Sequence, residues 1–387
     1  MRHFDYLDDA DRSRLFHLEP SGFDGDGDPQ LLSVALGATL YSPATRATLA
    51  DDIAKRAATG VISTVVCLED SVADEDVPAA ERNAVAQLRA YRRREAAAPL
   101  IFVRVRTPSQ IPLIARGLGP DVGVLAGFVL PKFTRDSGPA YLDAIAGVSS
   151  ELGTRLFAMP VLESPEVIHR ETRTDALVGV HQLLDEHRDI VLAVRIGATD
   201  LSSAFGLRRG RDLTVYDVHV LAETIADIVN IVGRADGTGF VVTGPVWEYY
   251  TGAERMFKPQ LRESLFVEHD DRGLRAKLIR ADLDGLIREI VLDKANGLTG
   301  KTVIHPSHVA AVHALSVVTH EEYSDALDIL SEQMAGGGVK ASGYGNKMNE
   351  SKPHRAWAQR LMTRAHVFGV AREEVSFVDL LGAGMSA

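Results

Sequence analysis

The sequence predicts a (β/α)8 barrel of the TIM type with a small helical C-terminal extension. Eight short apolar runs alternate along the chain with segments of helical spacing, which is typical of α/β folds. The runs are nearly continuous in Val, Ile, Leu and Phe, as in parallel strands that are buried on both faces. The length of 387 residues suits one barrel of roughly 250 residues plus extensions.

Predicted strands and helices alternate along the chain. We expect strands over 38–43, 63–70, 100–106, 127–133, 156–163, 190–200, 239–248 and 300–306. We expect helices over 44–59, 78–94, 137–152, 174–187, 215–232 and 274–295. An open doubly wound sheet is the alternative fold, but no G-x-G-x-x-G motif follows the first strand.

Three segments make up the predicted domain organisation. Residues 1–37 form an N-terminal extension, 38–318 the barrel and 319–387 a helical C-terminal extension with a glycine-rich hinge. The segment 249–275 is long, aromatic and charged, and we predict that it is an insertion between strands seven and eight.

Composition excludes several classes of protein. The net charge of −11 and the short runs of basic residues argue against a nucleic-acid partner. A single cysteine, Cys67, excludes an intramolecular disulfide framework and fits a reduced, cytoplasmic setting. The N-terminus does not resemble a secretory signal, and no apolar run is long enough to predict a membrane span.

Charged residues recur at the predicted strand ends. In a barrel these ends converge on the face that carries the catalytic groups. Each charge alone has an ordinary explanation as a helix cap or surface ion pair, but charge at the end of a buried strand is costly unless it is paired. Seven of the eight strands carry such a residue, which favours an active site: Glu69-Asp70, Arg104 with Arg106, Lys132, Glu163, Asp200, Glu248 and His305.

Glu163 and Asp200 are the candidate metal ligands. They end adjacent strands, which lie about 5 Å apart, so both carboxylates can reach one ion. Two carboxylates completed by water favour Mg²⁺, and the lack of a nearby His or Cys argues against zinc. The alternative is that each caps the following helix or pairs with Arg104 or Lys132.

Four further residues are candidates for catalysis. The planar guanidinium of Arg104 suits a substrate carboxylate, unless it pairs with Glu69 or Asp70. Neighbours in a strand face opposite ways, so only one of Glu69 and Asp70 is expected to face the site. Lys132 can stabilise a developing enolate, unless it pairs with Glu163.

Two other features suggest a role in binding or proton transfer. Gly197, Ala198 and Thr199 precede Asp200 and would let a substrate approach the backbone closely. His305 is a candidate acid or base, and the alternative is a packed histidine beside Pro306.

These motifs together resemble the HpcH/HpaI aldolase and citrate lyase β-subunit superfamily, and a divergent carbon–carbon bond lyase branch of it in particular. The resemblance covers about residues 38–370. It rests on Leu40-Tyr41-Ser42-Pro43-Ala44-Thr45-Arg46, Cys67-Leu68-Glu69-Asp70-Ser71-Val72, Val103-Arg104-Val105-Arg106, Val129-Leu130-Pro131-Lys132, Val161-Leu162-Glu163-Ser164, Ile196-Gly197-Ala198-Thr199-Asp200-Leu201 and Gly300-Lys301-Thr302-Val303-Ile304-His305-Pro306-Ser307.

The resemblance implies a lyase or aldolase acting on a 2-oxo acid or an acyl-CoA ester through a metal-stabilised enolate. It implies Mg²⁺ on Glu163 and Asp200, and a substrate carboxylate on Arg104 with Glu69 and Asp70 alongside. It also implies a homo-oligomer, a trimer or hexamer.

Two departures from the family pattern bear on the substrate. The tail reads Gly345-Asn346-Lys347-Met348 where the family has Asp-Gly-Lys-Met, which leaves the use of CoA open. Arg106 replaces the family's Asn, which favours a more anionic substrate. The alternative is a non-catalytic or differently reacting oxo-acid-binding member of the same scaffold in a biosynthetic complex.

Overall fold

A computed structural model describes residues 1–94, 99–250, 283–331 and 336–386. The chain divides into two compact units. We call them the barrel unit, residues 1, 24–248 and 288–309, and the terminal unit, residues 2–23, 249–287 and 310–387. Most of the predicted insertion at 249–275 lies outside the described residues. The predicted division into segments at 37 and 318 stays a prediction.

Eight parallel strands form the barrel, which confirms the predicted fold. Their order around the sheet follows the chain, with the first strand beside the eighth. They are β1 Ala38–Pro43, β2 Ser63–Cys67, β3 Leu100–Arg104, β4 Gly127–Leu130, β5 Phe157–Leu162, β6 Val194–Ile196, β7 Val242–Thr243 and β8 Lys301–Val303.

The barrel closes between β7 and β8. The backbone N–H of Gly244 donates to the carbonyl of Gly300 at 3.1 Å, and the N–H of Thr302 donates to the carbonyl of Gly244 at 3.0 Å. A side chain on Gly244 would come within 2.7 Å of an Asp293 carboxylate oxygen, so glycine is needed at this seam.

Helices cover the outside of the barrel and bury its apolar outer face. Most of them pack an apolar stripe on the strands, which places a continuous hydrophobic core between sheet and helices. Four of them were not among the predicted helices: Pro29–Ala35, Gln110–Leu118, Pro165–Ile168 and Ala198–Ser203. The helices are Pro29–Ala35, Leu49–Ala58, Val77–Arg92, Gln110–Leu118, Gly138–Leu152, Pro165–Ile168, Arg170–Glu186, Ala198–Ser203, His219–Val232 and most of Asp284–Ala295.

The terminal unit has a small core of its own, formed around two helices. His320–Leu330 begins with a capping box between Thr319 and Glu322, and Ser351–Phe368 packs against it. Its other helices and strands are Asp9–Leu15, most of Val309–Ser316, Phe377–Ser386, the antiparallel pair Phe16–Leu18 and Val370–Ala371, and the hairpin of Val339–Ala341 with Met348–Glu350.

The hairpin of the terminal unit contains the tail motif that departs from the family. Asp325 accepts hydrogen bonds from Ser342 at 2.7 Å and Asn349 at 2.8 Å, and Lys347 lies 2.8 Å from its other oxygen. Gly345 has φ +68°, a conformation that favours glycine.

Among the described residues, no helix is long and apolar enough to cross a membrane.

A buried ionic cluster stabilises the seam of the barrel. The ammonium group of Lys301 lies 2.9 Å from Glu289 and 2.6 Å from Asp293, and Glu289 also pairs with Arg209. All four side chains are buried. Removing one partner from such a cluster leaves a buried charge without compensation.

We therefore expect Lys301→Met to lower the free energy of unfolding by about 3–5 kcal/mol in a urea titration. Lys340→Met is the matched control, because Lys340 forms an exposed ion pair with Asp328 that contributes about 1 kcal/mol or less. Equal effects of the two substitutions would show that the seam cluster does not stabilise the barrel.

Candidate active site

The carboxyl ends of five neighbouring strands bring charged side chains together at one mouth of the barrel. Arg104 forms ion pairs with carboxylates from β2 and β5, and Lys132 lies near carboxylates that follow β2 and β6. The predicted convergence therefore holds for Glu69, Asp70, Arg104, Lys132, Glu163 and Asp200.

Glu163 lies at the centre of this mouth, and its side chain is almost completely buried. Arg104 Nη2 and the backbone N–H of Lys132 each donate to Glu163 Oε1 at 2.9 Å. A side chain on Gly197 would come within 2.0 Å of Glu163 Oε2, so glycine makes room for the carboxylate. Burial raises the pKa of Glu163 to about 7, against the lowering effect of Arg104, and the charge of Asp200 raises it further.

Arg104 connects the acidic groups of the mouth. Besides Glu163, its Nη2 lies 2.8 Å from Glu69 Oε2 and 3.4 Å from Asp70 Oδ2. The alternative of a pair with Glu69 or Asp70 is therefore formed in the structure. Arg104 Nε is buried and has no hydrogen-bond partner among the described residues, so the guanidinium retains a donor for another group.

Lys132 occupies a strained backbone position at the end of β4. Its φ of 47° is unusual for a residue with a side chain and points to a functional constraint. Its ammonium group donates to Glu69 Oε1 at 2.7 Å and lies 3.8 Å from Asp70 and 3.9 Å from Asp200. The alternative pair with Glu163 is formed by the backbone N–H of Lys132 rather than by its ammonium group.

Glu69 and Asp70 both face the site, so the expectation that they point to opposite faces is wrong. That rule holds within a strand, whereas β2 ends at Cys67 and the two acids lie in the turn that follows. Burial raises the pKa of Glu69, but its bonds to Asp70, Arg104 and Lys132 outweigh burial and lower it to about 2. Burial and the bond to Glu69 raise the pKa of Asp70 to about 6.

Asp200 lies in a helix rather than at a strand end. The strand predicted over 190–200 is β6, and it ends at Ile196 because the chain turns at Gly197 to enter the helix Ala198–Ser203. Thr199, a predicted substrate-binding residue, donates to Glu248 at 3.1 Å. The predicted binding roles of Gly197, Ala198 and Thr199 stay predictions.

Arg106 and His305 contact neighbouring backbone and loop groups. The guanidinium of Arg106 donates to the carbonyls of Leu68, Glu69 and Val72, and so holds the turn after β2. Its predicted contact with substrate stays a prediction. His305 Nδ1 lies 2.7 Å from the Ser307 hydroxyl, as expected for a histidine that holds the last loop.

Arg195 on β6 is an inward-facing charge that the sequence analysis missed. It lies within an apolar run, and the analysis considered only charges at the ends of such runs. A lone Arg between Val194 and Ile196, both buried, was the available signal.

Asp200 lies close enough to Glu163 to raise its pKa, and the predicted role of these two carboxylates as metal ligands stays a prediction. Within the described ranges, no group of three or more His, Cys, Asp or Glu side chains is arranged to hold a metal ion. A cation bound by these two carboxylates would therefore complete its coordination with water or substrate, as Mg²⁺ does in proteins.

A family model described as the C–C bond lyases of the TIM-barrel fold matches residues 30–370, and the chain therefore belongs to this family. The resemblance found in the sequence and the expectation of a carbon–carbon lyase are confirmed at this level. A comparison with curated protein sequences finds no match.

Solved structures of similar fold include three enzymes. A citrate lyase from Burkholderia xenovorans is 16% identical, with TM-score 0.61, and the alignment covers 89% of this chain and 96% of that one. CitE from Mycobacterium tuberculosis, in complex with magnesium, acetoacetate and coenzyme A, is 18% identical, with TM-score 0.53 and coverage of 86% and 99%. A Haloferax volcanii malate synthase with magnesium and glyoxylate is 14% identical, with TM-score 0.51 and coverage of 71% and 73%. At these identities the likeness shows the fold.

The close approach of Gly197 to Glu163 leads to a prediction about stability. Gly197→Ala forces the Glu163 carboxylate out of its place, and we expect it to lower the free energy of unfolding by roughly 1–3 kcal/mol. Gly147→Ala is the control, because its new methyl group meets no atom within 4 Å. In the helix Gly138–Leu152 this control should stabilise by about 0.5–1 kcal/mol. If both substitutions changed the free energy of unfolding with the same sign and size, the close packing of Gly197 against Glu163 would be contradicted.

The raised pKa of Glu163 leads to a prediction about pH. Between the usual value of 4.5 and about 7, the folded protein holds a proton on Glu163 that the unfolded chain has lost. In metal-free protein the free energy of unfolding should therefore fall as pH rises through this window. Urea titrations at several pH values should show that Glu163→Gln removes this part of the slope. An unchanged slope would mean that Glu163 is ionised throughout.

Proposed function

We propose that this protein is a Mg²⁺-dependent carbon–carbon bond lyase or aldolase that acts on a 2-oxo acid or an acyl-CoA ester. The observation that carries the proposal is the approach of Glu163 and Asp200 beside Arg104 and Lys132 at the mouth of the barrel. Membership of the C–C bond lyase family supports the reaction class. CitE and malate synthase, whose structures contain magnesium, support the choice of ion.

The donor set of the mouth fits a divalent cation. The charge of Asp200 raises the pKa of Glu163, so ionising both carboxylates is unfavourable without a positive charge between them. Oxygen ligands favour Mg²⁺ over zinc. When bound, Mg²⁺ would polarise a substrate oxygen and stabilise negative charge on it.

Arg104 and Lys132 are proposed to bind substrate and to stabilise charge. The planar guanidinium of Arg104 is proposed to hold a substrate carboxylate, while its Nη2 stays fixed by Glu69 and Glu163. The ammonium group of Lys132 is half-exposed, so it can approach negative charge that develops when the carbon–carbon bond breaks.

Asp70 is proposed to exchange the proton of the reaction. Its pKa of about 6 lies near neutral pH, and its side chain is exposed at the mouth. Glu69 stays ionised and holds Arg104 and Lys132 in place. Two adjacent carboxylates with separated pKa values can thus serve two roles.

The test combines metal binding with product analysis. We expect Glu163→Gln and Asp200→Asn to lower Mg²⁺ affinity by at least tenfold in calorimetry and to abolish lyase activity, because each removes one of two carboxylate ligands. Glu151→Gln is the control, since Glu151 pairs with Arg116 on the surface. Unchanged Mg²⁺ affinity in Glu163→Gln would refute the assigned ligand.

Activity is measured by mass spectrometry with malyl-CoA, citramalyl-CoA, citryl-CoA and short 4-hydroxy-2-oxo acids. Cleavage of either class identifies the substrate type and decides whether CoA is used. Tight oxaloacetate binding without turnover of any of them would favour the non-catalytic alternative. That alternative is supported by Gly345 in the tail, which stands where the family has Asp. The homo-oligomeric state and the cytoplasmic location remain proposals.

A further inference from the structure

Arg195 lies inside the barrel, and none of the described carboxylates forms an ion pair with it. It extends inward from β6, and only 1% of the residue is exposed. Its guanidinium donates to the hydroxyls of Thr39 at 3.3 Å and Thr302 at 2.5 Å, and it contacts the sulfur of Met159 at 3.9 Å. In the part of the chain that the structure describes, its Nε has no hydrogen-bond partner and no carboxylate lies within ion-pair distance of its guanidinium.

This arrangement differs from that of two other buried cations of the barrel. Arg209 and Lys301 both pair with Glu289, so each has a full negative charge beside it. A guanidinium stays protonated even when it is buried. The hydroxyl dipoles around Arg195 offset its charge only in part, so its positive field extends through the low-dielectric interior.

Arg195 lies below the mouth of the barrel. It pairs in register with Val161 of β5, two residues before Glu163. The ring of Tyr41 lies 5.6 Å from its guanidinium carbon. Burial raises the pKa of Tyr41, and both Arg195 and Arg104 lower it, so the fields of the two arginines overlap at this ring.

The charges of the mouth balance without Arg195 when a divalent cation is bound and Glu69, Asp70, Glu163 and Asp200 are all ionised. These four carboxylates, with Arg104 and Lys132, then leave two negative charges, which the cation would neutralise. Arg195 then supplies one positive charge in excess. An anionic substrate is the group that such an excess stabilises.

We propose that Arg195 determines the charge of the substrate: its uncompensated cation below the mouth selects a dianionic 2-oxo acid over a monoanionic one. The proposal rests on the proposed function, because it takes the mouth as the place where substrate binds. The selection arises because the Coulomb energy grows with the ligand's charge.

Oxalate and glyoxylate are matched probes, since they are close in size and carry two and one negative charges. Calorimetry measures their binding, and that of Mg²⁺, to wild-type protein and to Arg195→Met. We expect glyoxylate to bind about threefold and oxalate about tenfold more weakly to this variant, because the lost energy doubles with the ligand's charge. Mg²⁺ should bind about threefold or more tightly, because a repelling charge has gone.

If Arg195 acts through its charge, Arg195→Met binds the anions more weakly and Mg²⁺ more tightly, and these opposite changes distinguish an electrostatic role from a structural one. A merely structural role would weaken the binding of the metal and of both anions together, and that result would overturn the proposal. An unchanged ratio of oxalate to glyoxylate affinity would also overturn it. Arg195→Lys keeps the charge and Thr302→Val removes only a hydrogen bond, so both should stay within about twofold of wild type.

Folding of the variants is checked by thermal unfolding. Replacing a buried ion by an apolar side chain is often neutral or stabilising. Arg195→Gln is a second variant without the positive charge, and the ratio of oxalate to glyoxylate affinity must change in it as in Arg195→Met. If wild-type protein binds no Mg²⁺, the proposed function fails, and the ratio measured in metal-free protein still decides the role of Arg195.

Discussion

The ion pair between Glu163 and Arg104 is the interaction on which the mouth of the barrel depends. A carboxylate buried to this degree is stable as an anion only beside a positive charge. Arg104 supplies that charge only in part, since the pKa of Glu163 stays raised to about 7, and at the same time it holds Glu69 and Asp70. Because β3 lies between β2 and β5 in the order of the sheet, one guanidinium can connect acids from strands that are not neighbours.

The barrel could be predicted because its strands are short and apolar and alternate with helical segments. All eight predicted runs contain a strand, and β1 has the predicted bounds. For several other strands the predicted C-terminal end lies beyond the observed end, because the hydrophobic run continues into the loop that follows the strand. Ala198 shows this effect, because it is buried although it lies in the helix after β6. The helix Gln110–Leu118 was missed because it is short and its apolar residues are interrupted by Pro112.

The site was predictable as a set of residues but not as a set of contacts. Charges at strand ends identified Glu163, Asp200, Arg104 and Lys132, since the topology brings those ends together. The contacts depend on backbone details that the sequence does not display, such as the positive φ at Lys132. The same holds for Arg106, whose side chain turns back to the carbonyls after β2.

The barrel treats its buried cations in two ways, and the difference follows from location. At the seam, Lys301 and Arg209 share acidic partners, so their charges cancel locally and serve to hold β8 and its covering helix together. Inside the barrel, Arg195 has hydroxyl partners, which fix its position but leave its charge. A carboxylate beside Arg195 would satisfy it more fully and would also cancel its field. A buried guanidinium with only hydroxyl partners lowers the stability of the barrel. This arrangement is explained if the positive field of Arg195 acts on an anion at the mouth.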